Sequence, residues 1–324
     1  FGRWSNINLS GHEPRPTPGR LSGDGRSRSR GGASGGAGRD PTMYPYLALA
    51  YCVGISIVFL LVIYVGTDGR RRNDPDVAKF RCIRVLFLSV LAPLFVYAVY
   101  DPTVYPAGTP FLHLLGVRTS GLLSACIWPL LLTQLFFLGP MMHHFVVDGY
   151  FKLFFEPRFW MVNLSDPLWI RDHLCAPLVE EVCFRACVLP LLFPHLGELR
   201  AVLVGPIVFG TCHLHHLRER AQQSELSVAI LMTAFQFTYT TLFGMYASFI
   251  FLRTGHLLPC ILVHSFCNYM GVPQLPTRRP WLWPVYIAGV VGWLTQLSPF
   301  LKPSLYDNTI YNAQDVDVLT LYNQ

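Results

Sequence analysis

Long apolar stretches, separated by short polar connections, occupy most of the chain between residues 44 and 301. No residue of 44–66 is charged, and a run of this length crosses a bilayer as a helix, since about 20 apolar residues suffice. The further stretches of comparable character are 85–100, 121–142, 172–193, 201–215, 226–252, 256–272 and 281–301. The pattern predicts eight membrane spans. Seven is the alternative, because the second and the fifth stretch are short.

Basic residues alternate in number along the connections between these stretches. The first, third, fifth and seventh connections hold six, three, two and two Lys or Arg residues, and the others hold one each. Because positively charged connections face the cytosol, the odd-numbered ones are expected there, and both termini are expected on the opposite side. The arginines within 1–42 oppose this orientation unless that segment is not native.

The first 42 residues differ from the rest of the chain. They are rich in Gly, Arg, Ser and Pro and cannot build a core, so they are expected to be disordered. Met43 directly precedes the first span, and a non-native extension is therefore the alternative. The run 44–66 exceeds the 7–15 apolar residues of a secretory signal peptide. The predicted organisation is 1–42, a membrane domain at 43–302 and a tail at 303–324.

Composition agrees with a membrane protein. Hydrophobic residues make up 52% and charged residues 14%, against about 25% charged in soluble domains, and the mean hydropathy is +0.37. The net charge of +6 comes largely from arginines in 1–42 and 70–84, which fits a topology signal better than nucleic-acid binding. The nine cysteines lie mostly in apolar stretches, so reduced thiols are expected.

The stretch 172–193 carries charges that membrane spans normally exclude. Glu181 and Arg185 are four residues apart on one helical face and can pair. Glu180 is turned about 100° away and has no cationic partner at helical spacing. A carboxyl group in such a setting is a candidate general base. The alternative is that both glutamates pair with basic groups only to hold helices together.

Histidines mark two later stretches. His213 ends an apolar run, with Phe209 one turn earlier. His264 and Asn268 are four residues apart on one helical face, where an imidazole and an amide can both donate hydrogen bonds to a developing oxyanion. The alternative for His213 is an ordinary core histidine. The alternative for His264 and Asn268 is hydrogen bonding between helices.

Taken together, a carboxylate, an imidazole and an imidazole–amide pair suit hydrolysis of a peptide or amide bond by an activated water. The same residue types bind zinc, but HExxH and HxxEH are absent, as is a G-x-S-x-G serine motif. A cysteine mechanism through Cys175 or Cys183 is disfavoured, because cysteines buried in apolar surroundings are usually inert. A membrane scaffold or transporter is the non-enzymatic alternative, although the internal repeats common in transporters are not found.

Three motifs occur in order: EEVCFR at 180–185, FGTCH at 209–213 and HSFCN at 264–268. They resemble the EExxxR, FxxxH and HxxxN motifs of the CAAX protease and bacteriocin-processing family of intramembrane glutamate proteases. The sequence around them is similar to the eukaryotic branch, the type II CAAX prenyl endopeptidases. The resemblance covers about residues 44–300 and is strongest over 168–273.

The resemblance implies an all-α, multi-pass protein of the endoplasmic reticulum membrane, whose eight or so helices enclose a polar catalytic cavity accessible from the cytosol. It implies removal of the last three residues (aaX) of isoprenylated CAAX proteins such as Ras-like small GTPases. No cofactor is implied, with a zinc-dependent protease as the alternative. By the resemblance, Glu180 and His213 activate the water, and His264 and Asn268 stabilise the oxyanion. Supporting roles fall on Glu181, Arg185 and Phe209.

Two further segments bear on substrate access. A prenyl chain favours lipid by about 0.8 kcal/mol per buried CH₂, so it is expected to enter laterally between spans. The aromatic residues of 235–243 are candidates to line that path, with ordinary packing as the alternative. Residues 143–171 form the longest connection, in which FKLFFEPRFWMV is either an amphipathic helix in the cytosolic interface or an ordinary connecting segment.

Overall fold

The computed structural model describes residues 44–66, 73–273 and 275–311. This part of the chain is built from helices, with no β-strand among its residues, so the all-α prediction is confirmed. The expectations for 1–42, for Arg70, Arg71 and Arg72, and for the tail beyond residue 311 concern residues outside the described ranges.

The α-helices follow one another in short and long pieces. They are α1 (Tyr44–Tyr64), α2 (Pro75–Val99), α3 (Phe111–Leu114), α4 (Leu122–Phe136), α5 (Leu138–Met141), α6 (Phe151–Phe154), α7 (Pro157–Ser165), α8 (Pro167–Ile170), α9 (Ala176–Glu181), α10 (Leu189–Thr211), α11 (His216–Ala221), α12 (Leu226–Thr254), α13 (Leu258–Met270) and α14 (Trp283–Phe300). Three π-helical segments interrupt them, at Met142–Val147, Arg171–Cys175 and Val182–Ala186.

Several helices are suited to crossing a membrane. Four in the described ranges are long and apolar enough: Tyr46–Tyr64, Pro75–Val99, Leu189–Ala221 and Leu226–Thr254. Leu122–Phe136 and Leu138–Val147 make a fifth span if they are counted together, although the chain bends by 76° between them. The structure is therefore that of an all-α polytopic membrane protein. It differs from eight uninterrupted spans, because the helices in the other predicted spans of the described ranges do not combine the required length and apolarity.

The second span begins earlier than predicted. Helix α2 starts at Pro75 rather than near residue 85, with Asp74 as its N-cap. A capping Asp followed by Pro at the first helical position is a favourable helix start. Lys79, Arg81 and Arg84 therefore lie in the helix and not in the connection. Long basic side chains near a helix end can still extend to the membrane interface.

The predicted spans 172–193 and 201–215 are interrupted where the sequence alone suggested simple helices. Two π-helical segments flank α9, and α10 continues past residue 193 to Thr211. Within α10, Gly197 has φ 71° and ψ 176°, a backbone conformation that glycine adopts far more readily than other residues. His213 lies in the turn that follows α10, so α10 positions it at the end of the helix.

The even-numbered connections meet at one end of the helices. The Leu257 N–H donates to the Gly116 carbonyl at 3.0 Å, and Arg253 pairs with Glu198 at 3.7 Å. The first part of the predicted tail joins them, since the Asn308 side chain donates to the carbonyl of Leu252 at 2.7 Å and is buried. Residues 303–311 are thus packed against the membrane domain.

The ends of the predicted spans next to the odd-numbered connections meet at the other end. The ring of Tyr64 lies 5.3 Å from that of His215, and Tyr269 lies 6.1 Å from His144 and 6.2 Å from His173, centroid to centroid. Alternate connections therefore lie together, as expected for a chain that crosses between two sides at each predicted span.

Helices α10 and α12 pack closely against each other beside the charged residue Arg185. A Cβ atom built on Gly244 would lie 2.9 Å from the Cβ of Pro206 and 3.1 Å from Nη2 of Arg185. A Cβ on Gly210 would lie 2.1 Å from Oγ1 of Thr241. Small residues at these positions let the two backbones approach, as is common between helices in membranes.

Candidate active site

Glu181 joins two helices at the centre of the site. Its side chain is 0% exposed, and its Oε1 accepts hydrogen bonds from Arg185 Nη1 at 3.0 Å and from His264 Nδ1 at 2.7 Å. The expected pairing of Glu181 with Arg185 is present. Its second partner comes from α13, so this carboxylate ties the segment around α9 to the helix that carries the third motif.

Aromatic rings enclose the Arg185 guanidinium. Its side chain is 1% exposed, and its Cζ lies 4.6 Å from the ring centroid of Phe209 and 5.8 Å from that of Phe243. Cation–π contacts of this kind stabilise a desolvated cation by up to about 2 kcal/mol or more. The ion pair with Glu181 and these two rings together account for a charged arginine in an apolar core.

His264 lies between the two adjacent glutamates. Its Nδ1 is bonded to Glu181, whereas its Nε2 lies 3.9 Å from Glu180 Oε2. Phe243 packs against the imidazole, with ring centroids 4.6 Å apart. The geometry therefore presents one nitrogen of the histidine to each carboxylate and fixes the ring from one side.

Glu180 is less buried than Glu181, with 17% of its side chain exposed. The fold supplies it with an imidazole from α13. Only the tertiary structure brings these groups together, because they are 84 residues apart. The imidazole and the Arg185 guanidinium lie against the two glutamates, and such pairing lowers the cost of placing ionisable groups in a membrane.

His213 is linked to this cluster through Phe209. Its Nδ1 lies 3.3 Å from the Phe209 carbonyl oxygen, and its ring centroid lies 5.0 Å from that of Phe209. The same phenyl ring covers Arg185. Phe209 therefore contacts both the imidazole at the end of α10 and the arginine of the first motif.

Asn268 lies one turn after His264 on α13 and bonds to a different segment. It is exposed, and its Nδ2 donates to the backbone carbonyl of Asp172 at 2.8 Å. Asp172 belongs to the π-helical segment Arg171–Cys175 and pairs with Arg171 at 2.7 Å. One donor of the amide thus holds this segment, and a primary amide has a second N–H donor.

Two contributors to the site were not singled out from the sequence. Phe243 contacts both His264 and Arg185; it lies in the aromatic run 235–243, but nothing in that run distinguishes it from the other rings. Asp172 contributes its backbone carbonyl, for which a sequence contains no side-chain signal.

A metal site was the alternative for these residue types. Within the described ranges, no group of three or more His, Cys, Asp and Glu side chains is arranged to hold a metal ion. The contacts of Glu181 are instead with a guanidinium and an imidazole.

Comparison with known proteins decides the family. The model described as "Type II CAAX prenyl endopeptidase Rce1-like" matches residues 163–270. CAAX prenyl protease 2 of Homo sapiens is 40% identical over 288 residues, which cover 85% of this chain and 86% of that protein. The chain belongs to the type II CAAX prenyl endopeptidase family.

Other members of the type II CAAX prenyl endopeptidase family match over similar lengths. CAAX prenyl protease 2 of Rattus norvegicus is 35% identical and covers 82% of this chain and 83% of its own. The protein of that name from Arabidopsis thaliana is 31% identical, covering 81% and 92%. No solved structure matches the chain. The family match at 163–270 includes α9, α10 and α13. Every candidate site residue lies within the matched range.

Proposed function

We propose that the chain is an intramembrane glutamate endopeptidase that removes the last three residues of isoprenylated CAAX proteins, among them Ras-like small GTPases. We place it in the endoplasmic reticulum membrane, with the site accessible from the cytosol. The relatives named CAAX prenyl protease 2 support the substrate class. The basic odd-numbered connections support the orientation.

The observation that carries the proposal is the arrangement of His264 between Glu181 and Glu180. The Glu181 carboxylate accepts from Nδ1 and thereby orients the ring, and the 3.9 Å separation leaves Nε2 directed at Glu180. In this arrangement the fully buried Glu181 orients the imidazole, and the partly exposed Glu180 is left to react. Groups fixed before the reaction, with a pKa set by their surroundings, are typical of catalytic sites.

In the proposed reaction, the Glu180 carboxylate takes a proton from a water molecule that His213 helps to orient. The water oxygen attacks the carbonyl carbon of the scissile peptide bond, and the carbonyl oxygen becomes an oxyanion. Glu180 then gives the proton to the leaving nitrogen as the C–N bond breaks. The products are the shortened prenylated protein, with a new carboxylate, and a free tripeptide.

The oxyanion is proposed to receive hydrogen bonds from His264 and Asn268. An imidazole that donates to Glu181 from Nδ1 must be doubly protonated to donate from Nε2 as well. Asn268 would use the N–H that does not bond Asp172. Donors fixed before the reaction stabilise developing charge without reorganisation, and one such donor typically contributes about 10²–10³-fold in rate.

The prenyl chain is proposed to approach along the lipid-facing side of α12. Leu231, Phe235 and Leu242 on that helix are exposed, which suits contact with lipid and an isoprenoid. Phe243, on the same helix, reaches His264. Helix α12 thus connects an apolar outer surface with the reacting groups.

The test is cleavage of a farnesylated CAAX peptide by membranes containing wild-type protein or Glu180→Gln. We expect Glu180→Gln to abolish cleavage. Glu198→Gln is the matched control, because Glu198 is also a partly exposed glutamate, 21% against 17%, in contact with a basic side chain. Full activity of a well-expressed Glu180→Gln protein would refute the mechanism. Equal cleavage by wild-type and empty membranes would favour the scaffold or transporter.

The same assay with a chelator separates the two protease classes. Since no step above uses a metal, we expect EDTA to leave cleavage unchanged. Loss of activity that only zinc restores would replace the glutamate mechanism by a metalloprotease. An unprenylated peptide of identical sequence should be cleaved much more slowly, because it lacks the lipid-soluble group.

A further inference from the structure

Two cysteines from different helical segments lie in contact near the candidate site. The Cys175 sulfur lies 3.9 Å from the carbonyl oxygen of Cys82, so the two residues are neighbours across the two segments. Cys82 belongs to α2, and Cys175 ends the π-helical segment Arg171–Cys175. Both are free thiols.

Their surroundings differ from those of an ordinary buried cysteine. Cys82 is partly exposed, whereas Cys175 is buried. Partial exposure is one condition under which cysteines react, and a neighbouring second thiol can resolve an oxidised one.

The segment that carries Cys175 also supports the proposed site. The Asp172 carbonyl accepts the Asn268 amide at 2.8 Å, and α9, which ends with Glu180 and Glu181, follows Cys175 directly. Any movement of Arg171–Cys175 relative to α2 is therefore transmitted to both the glutamates and Asn268.

We propose that Cys82 and Cys175 form a reversible disulfide that switches off proteolysis under oxidising conditions. By the orientation given above, both lie toward the cytosolic end, where thiols are normally kept reduced and disulfides act as redox signals. The oxidant is a peroxide, and the reductant that restores the enzyme is a thiol.

The chemistry balances with hydrogen peroxide as oxidant. The Cys82 sulfur attacks one peroxide oxygen; the S–O bond forms, the O–O bond breaks and one water is released after proton transfer. The Cys175 sulfur then attacks the sulfenic sulfur of Cys82, so that the S–S bond forms and the S–O bond breaks, releasing a second water. The two thiols together lose two electrons, and peroxide is reduced to two molecules of water.

Disulfide formation must draw the two segments together. The two sulfur atoms must come to a covalent distance of about 2.05 Å. A displacement of about 1 Å at catalytic groups can cost about 10²-fold in rate, so we expect peroxide to lower turnover by about tenfold or more. The activity part of this inference rests on the proposed function, whereas formation of the bond does not.

The experiment treats purified full-length protein with hydrogen peroxide, then divides it between buffer and dithiothreitol. Mass spectrometry of peptides should detect a Cys82–Cys175 linkage that dithiothreitol removes, in parallel with reversible loss of cleavage of a farnesylated peptide. Cys82→Ser should keep wild-type turnover and remain active after peroxide. Cys126→Ser is the matched control, since Cys126 is also partly exposed, and it should stay sensitive.

Three outcomes would overturn the switch, the first two concerning the linked protein itself. One is the absence of the linked peptide after peroxide treatment, and the other is a linked protein that cleaves at the rate of the reduced one. Sensitivity of Cys82→Ser equal to that of wild type would also exclude this pair as its cause. If even the reduced protein cleaves nothing, the proposed function fails, and the linked peptide still decides whether the disulfide forms.

Discussion

Adjacent glutamates at the end of α9 experience different surroundings. Glu181 is fully buried and bonded to both Arg185 and His264, whereas Glu180 is partly exposed and faces Nε2 of His264. Removing one partner of a buried ion pair leaves the other charge uncompensated. The two carboxylates should therefore differ in what they contribute to folding and to catalysis.

A stability comparison tests this difference. Glu181→Gln should lower the free energy of unfolding by about 3–5 kcal/mol, because it leaves the buried Arg185 without its counter-ion. Glu180→Gln should change stability much less while abolishing cleavage. Thermal unfolding of the detergent-solubilised proteins measures the difference. Equal unfolding temperatures for the two variants would contradict the assignment of Glu181 to positioning.

Asn268 has two possible roles that kinetics can separate. If it stabilises the oxyanion, Asn268→Ala should lower kcat by about 10²-fold with little change in KM. If it only holds the Asp172 carbonyl, the main loss is in thermal stability. Asn163→Ala is the control, since the Asn163 amide also donates to a backbone carbonyl, that of Phe159 at 3.0 Å, but outside the site. Unchanged kcat in Asn268→Ala would remove it from the oxyanion site.

At the scale of elements, the sequence predicted where most helices lie but not where they break. Apolar length correctly identified α1 and α12, because a continuous apolar run has one helical solution in a membrane. The π-helical segments around α9 were not predicted, because the apolar pattern does not distinguish them from α-helix. Helix spacing predicted the Glu181–Arg185 pair, whereas contacts between helices required the fold.

The packing of α10 on α12 gives a prediction at this scale. Gly244→Val should destabilise the protein by about 1–3 kcal/mol or more through overpacking against Pro206 and Arg185. It should also lower cleavage, because Arg185 holds Glu181. Gly54→Val is the control in α1, where an added Cβ meets no atom within 4 Å. Thermal unfolding and cleavage are measured for both. Wild-type behaviour of Gly244→Val would show that the helices do not approach so closely.

For the whole molecule, the alternation of connections is visible in two independent ways. Basic residues alternate along the sequence, and contacts join even-numbered connections at one end and the span ends next to odd-numbered ones at the other. The contacts separate the ends without identifying the compartments. Only the charge distribution indicates which end faces the cytosol, so the orientation needs a chemical test.

Labelling of introduced cysteines in sealed microsomes supplies that test. Met161 in the third connection and Ala107 in the second are both exposed, and the proposed orientation puts them on opposite sides. A membrane-impermeant maleimide should modify Met161→Cys in intact vesicles but Ala107→Cys only after detergent opens them, with wild-type protein giving the background. Asn163, in the sequence Asn163–Leu164–Ser165, should correspondingly carry no glycan. The reverse labelling pattern would place His213 and the fifth connection away from the cytosol, where prenylated C-termini do not arrive.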